Sequence, residues 1–132
     1  MSKQHPVYAE IDRNRLDDEL VLHPKLMEEL QEPLPELRAK VKRLEHQKEI
    51  EESKAYNFVK NRLIEEKAKY TEATLWSAVA MTPQIQKIKT ELIEAQKERD
   101  TAEERSRAFI GRQQAVKALV SLWGAQYFSL RK

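Results

Sequence analysis

The sequence contains no cysteine. That excludes disulfides, thiolate metal ligands and cysteine nucleophiles, and it fits a reducing cytoplasm, which is the expected location. Only two of its 132 residues are glycine, Gly111 and Gly124. So little glycine leaves scant material for phosphate-cradling loops or for the tight turns of a multi-stranded sheet. Hydrophobic residues make up 40% of the chain and aromatics 7%. That is low for a compact globule and ordinary for long amphipathic helices. Neither sign of charge dominates: 24 basic and 22 acidic side chains leave a net +2. A strong monomeric nucleic-acid binder is usually far more basic, so any such role must come from local clusters or from several copies acting together. The longest uncharged run, ATLWSAVAMTPQIQ at 73–86, is too short and too polar to cross a bilayer. The opening residues, MSKQHPVYAEIDRNRL, lack the apolar stretch of a signal peptide. The chain reads as one soluble domain without membrane contact.

What is present is helix. EIDRNRLDDEL predicts a short helix capped by Asp12 or Asn14, with Asp17, Asp18 and Glu19 complementing its dipole. His23-Pro24 is expected to end it and to start a second helix, KLMEELQE. Pro33 and Pro35 predict a kink or a short break. From Glu36 to about Lys69 there is neither proline nor glycine. There Leu37, Val41, Leu44, Ala55, Phe58 and Arg62 follow a 3-4 stripe with a polar centre at Lys48 and Glu51. Thr71 is a plausible cap for a short corner helix over 71–81, and Thr82-Pro83 starts the last helix.

That last helix, 83–123, has the clearest pattern. Ile85, Ile88, Leu92, Ala95, Arg99, Ala102, Ser106, Phe109, Gln113, Val116, Val120 and Trp123 alternate by three and four without a slip. The helix would be about 60 Å long. Gly124 is placed where a left-handed cap would end it, leaving 124–132 as a tail. The expected architecture is all-α: an elongated antiparallel hairpin of two long helices, with short N-terminal and corner helices. Apolar residues cover more than one face near the end of the last helix, as expected for a segment buried by another subunit. Self-association through this end is therefore expected, with Val116, Leu119, Val120, Trp123, Tyr127 and Phe128 as contact residues.

No catalytic set stands out. His5, His23 and His46 read as solvated, and neither His-x-x-x-His nor Glu-x-x-His occurs. Adjacent glutamates such as Glu51-Glu52, Glu65-Glu66 and Glu103-Glu104 point away from each other on a helix and suit a solvated face. No enzymatic activity, metal or cofactor is expected. The basic residues are more suggestive. Lys60, Arg62, Lys67 and Lys69 lie within FVKNRLIEEKAKYTE, next to Phe58 and Tyr70 and just after Lys54. Cations hold phosphates and rings stack on bases, which is the composition of a sequence-tolerant single-strand site. Glu65 and Glu66 in the same stretch equally suit an ordinary mixed-charge helix surface.

Several segments together resemble the small helical recombination mediators of phages, the UvsY family of T-even phages and its relatives. They are IDRNRLDDEL, LEHQKE, VKNRLI, KYTEATLWSAV and AVKALVSL, spread over most of the chain. The ending ALVSLWGAQYF also resembles a tail found in phage proteins encoded among replication and recombination genes. The resemblance implies a protein that is not an enzyme. It implies assembly into rings through the C-terminal helix, binding of single-stranded DNA, and interaction with a strand-exchange recombinase and a single-strand binding protein, helping the first displace the second. The family's Lys-x-Arg element falls on Lys60 and Arg62; Lys54, Lys67 and Lys69 join them by proximity alone. An expected linker rich in glycine and acidic residues is absent. Two alternatives need no DNA: an oligomeric phage scaffold, neck or adaptor subunit, and a chaperone that holds a partner helix.

Overall fold

A computed structural model describes residues 5–130, with side chains through Ala125. All regular structure among the described residues is helical. Two 3-10 turns, Pro6–Tyr8 and Arg13–Arg15, precede four α-helices: α1 (Leu16–Gln31), α2 (Leu34–Glu65), α3 (Glu72–Ala80) and α4 (Pro83–Leu130). The chain divides into two compact units. One comprises the segments up to Pro35 and from Asp100 onward; the other is Glu36–Arg99.

In the first unit, α1 is one helix where the sequence suggests two. Pro24 lies inside it. Proline removes a single backbone bond, here to the carbonyl of Leu20 four residues back, and Leu20 is partly exposed, so water can replace that bond. On the other side, continuity allows α1 to present His23, Leu26, Met27 and Leu30 together. Val7, Leu30 and Phe109 form the buried cluster, with Leu26, Met27 and Ala108 against it. His23, expected in solvent, is buried and meets the Phe109 ring edge-on at 5.2 Å between centroids. Asp12 caps the second 3-10 turn by accepting from the Asn14 amide at 2.9 Å. Asp17, Asp18 and Glu19 occupy the first turn of α1 as expected.

A polar clamp joins α1 to α4 in this unit. The Arg112 guanidinium donates through Nε to Glu19 Oε2 at 3.0 Å, through Nη2 to Glu19 Oε1, and through Nη1 to the Ala9 carbonyl. His23 Nε2 lies 3.3 Å from Glu19 Oε2. Arg112 and His23 are almost fully enclosed and Glu19 largely so. Hydrogen bonding from Arg112 holds the Glu19 carboxyl below the usual range, against the opposing effect of burial; the charges of Arg112 and the contact with His23 act in the same direction.

In the second unit, Val41, Leu92 and Ala95 form a buried cluster flanked by Leu44, and Lys40 Nζ pairs with Glu98 at 3.8 Å. α3 is fixed at its start by a reciprocal cap. The Thr74 amide donates to Thr71 Oγ1 at 3.2 Å and the Thr71 amide to Thr74 Oγ1 at 3.0 Å. Leu75 and Val79 are buried on one face of α3. α2 stops at Glu65, four residues before the expected end. The Ala68 amide bonds to the Leu63 carbonyl and the Lys67 amide to that of Ile64, a closing pattern that puts Lys67 at φ 52°. The break at Pro33 appears as expected, between the end of α1 and the start of α2 at Leu34.

The seam along α4 holds over most of its length. Ile85, Ile88, Leu92, Ala95, Ser106, Phe109 and Val116 are buried, and Arg99, Ala102 and Gln113 are half-buried. It fails at Val120 and Trp123, which are exposed. Gly124 caps nothing, because the helix continues to Leu130. On α2 the expected stripe departs after Ala55. Val59 and Leu63 are half-buried, whereas Phe58 is 67% exposed and Arg62 lies in solvent. α3 meets α2 at Tyr56 and thereby turns the covered face away from Phe58.

Two outcomes follow from these local arrangements. Lys67→Gly removes the Cβ from a left-handed position and should stabilise the chain by up to about 1 kcal/mol, seen as a higher urea midpoint at unchanged slope; a lower midpoint contradicts the closing pattern. Glu19→Gln should destabilise by about 3 kcal/mol at pH 7, because Arg112 stays buried without its counter-charge. The folded Glu19 value lies below the ordinary 4.5. Its contribution is therefore complete above that value and lost as pH falls through the folded one. The gap between wild type and Glu19→Gln in urea melts should narrow from pH 7 to pH 3; a constant gap contradicts the clamp.

Candidate functional site

The basic residues singled out in the sequence all lie in the second unit, on the later part of α2 and in the loop to α3. Between positions 54 and 69 there are five cations and two carboxylates. Lys54 Nζ pairs with Glu51 at 3.8 Å within α2, and Arg62 Nε pairs at 3.3 Å with Glu66 just past its end. Such exposed pairs contribute about 0–1 kcal/mol, so they exchange readily for a phosphate. Lys60 is half-buried, with Nζ 5.7 Å from the centre of the Tyr56 ring one turn earlier. Lys67 occupies the left-handed closing position, and Lys69 is exposed in the loop. Part of this basic character has a purely structural use: Arg62 sits in the last turn of α2, where a cation complements the negative end of the dipole.

Phe58 and Arg62 share a shallow concavity with Asn61, Glu65 and Glu66. A second group was not singled out from the sequence. Tyr56 and Trp76 stack obliquely, with centroids 4.8 Å apart and planes at 36°. The Tyr56 hydroxyl donates to both carboxylate oxygens of Glu72, at 3.1 and 3.2 Å. Partial burial and this carboxylate push the Tyr56 phenol up from its usual value. The signals were present: Tyr56 and Lys60 are four apart on a helix, and Trp76 falls beside the Leu75–Val79 buried face of α3 rather than on it.

The expected assembly residues separate into two groups. Val116 is completely buried within the first unit, so it belongs to the fold of one chain and leaves the contact set. Leu119 is half-buried and Val120 more exposed. Leu122 is 58% and Trp123 66% exposed. Val120 and Trp123 border a groove with Arg13, Leu16 and Leu20, so α1 contributes apolar surface that the sequence reading left out. The side chains of Tyr127 and Phe128 lie outside the described residues.

No group of three or more candidate metal ligands occurs among the described residues. No helix, among the same residues, is long and apolar enough to cross a membrane. No protein-family model, curated protein or solved structure matches the chain.

The burial difference along α4 predicts a split between two variants. Val116→Ala should cost about 2 kcal/mol of folding stability. Leu122→Ala, at a position 58% exposed, should leave the monomer's stability within about 0.5 kcal/mol and weaken self-association in sedimentation. Equal losses of stability in both variants contradict the assignment.

Proposed function

We propose that the chain is a self-assembling helical recombination mediator that binds single-stranded DNA through the later part of α2 and the loop to α3. In this reading it has no catalytic activity. It acts by holding DNA for a strand-exchange recombinase against a competing single-strand binding protein. One observation carries it: five cations crowd into sixteen residues beside exposed aromatic rings, and the two that are ion-paired are held only by weak surface contacts. The mediator role itself rests on the resemblance of IDRNRLDDEL, LEHQKE, VKNRLI, KYTEATLWSAV and AVKALVSL.

Within residues 36–99 we place α2 and the first part of α4 side by side in opposite directions. The packing of Val41 and Leu44 with Leu92 and Ala95, and the contact of Tyr56 with α3 just before α4 begins, support that arrangement. Assembly runs through the end of α4, where Leu122 and Trp123 are exposed. A modest patch repeated in several copies then acts on one strand at high effective concentration, which offsets a net charge of only +2.

A structural assembly subunit that does not bind DNA is the second reading. The pairing of Lys54 with Glu51 and of Arg62 with Glu66 favours it, since both are ordinary ways to solvate a long helix. Anisotropy of a labelled single strand over a salt series separates the two. The mediator reading expects salt-sensitive binding that Lys60→Ala/Arg62→Ala weakens, with the log–log salt slope reduced by about 1.4 for two lost phosphate contacts. Absence of binding at low salt by a folded protein overturns it in favour of the assembly subunit.

A further inference from the structure

We infer that Trp76 and Tyr56 form a stacking platform for a base of single-stranded nucleic acid, with Lys60 placed to hold a neighbouring phosphate. This rests on the DNA-binding reading above and adds to it a contact made with bases as well as with the backbone.

The two rings come from different helices, Tyr56 from α2 and Trp76 from α3, and lie 4.8 Å apart. Their placement is fixed before any ligand arrives. The Tyr56 hydroxyl is tied to Glu72 at 3.1 and 3.2 Å, and the Thr71–Thr74 cap sets the start of the helix that carries Trp76. Trp76 is nonetheless 47% exposed, while Leu75 and Val79 already supply the buried apolar attachment of α3. A large ring that is held in position and left half in water is the arrangement base stacking requires, because every base offers a π-face. Lys60, with Nζ over the Tyr56 ring at 5.7 Å from its centroid, adds a cation beside the pair. Glu72 repels phosphate at this point, so the platform favours the base there and leaves the backbone to the lysine and the cations further along.

The test titrates the full chain with an oligothymidine strand and with an abasic strand of the same length, following both anisotropy and tryptophan fluorescence. Oligothymidine should bind at least about fivefold more tightly than the abasic strand and quench fluorescence. Trp76→Phe should keep most of that preference and lose most of the quenching. Trp76→Ala should abolish the preference while its helical melting curve stays cooperative; should it fail to fold, the Trp76→Phe result decides. Equal, salt-sensitive affinity for both strands overturns the platform and leaves the basic segment standing. Quenching retained in Trp76→Phe assigns the signal to Trp123 and also overturns the platform. No binding of either strand at low salt overturns the platform and the DNA-binding reading together.

Discussion

The first unit depends on one buried arginine. Arg112 directs its planar fork at three acceptors: both oxygens of Glu19 and the carbonyl of Ala9. These belong to α1 and to the segment before it, so a single side chain fixes both against α4. A buried ion pair adds little net stability over an apolar contact of the same size, because both charges leave water. It does add direction. Leucines tolerate sliding by a fraction of a turn, whereas a guanidinium engaged on two edges does not. His23 completes the set, reaching Glu19 on one side and the edge of Phe109 on the other. With that register fixed, Val7, Leu30 and Phe109 close into a small core.

α4 supplies most of the remaining order. Its 3-4 seam buries small and medium apolar side chains in the second unit and Phe109 and Val116 in the first. Beyond Val116 the seam is less covered: Leu119 is half-buried, and Leu122 and Trp123 are 58% and 66% exposed. Large apolar side chains left mostly in water at the end of a helix suit the self-association proposed above. The cations and paired rings proposed to meet DNA belong to the other unit. In the proposed reading, assembly and ligand contact fall on different residues, so each can be altered without the other.

Local and periodic features were legible in the sequence. The α4 seam, the Thr71 cap, the proline break and the all-helical character of the described residues follow from spacing and from single-residue preferences, which act over a few positions. Pro24 misled because tertiary packing of His23 and Leu30 outweighs one missing backbone bond. Phe58 misled because a stripe with a polar centre can resume on either of two neighbouring faces, and the arrival of α3 at Tyr56 decides which. The Glu19–Arg112 contact spans 93 positions, beyond any periodic signal. Its local half, Glu19 and His23 four apart, is visible in the sequence, but there Glu19 reads as a partner of the helix dipole and His23 as solvated. At the candidate site the cations were legible as a cluster, but pairing Tyr56 with Trp76 needed the turn between two helices.

In the mediator proposed above, several copies of the chain act together on one strand. Sedimentation velocity of a labelled single strand, with excess protein at low and then high salt, tests it most directly. A fast species should form at low salt, carry more than one chain per strand and dissociate as salt rises. A strand that sediments alone at low salt, beside folded protein, would contradict it.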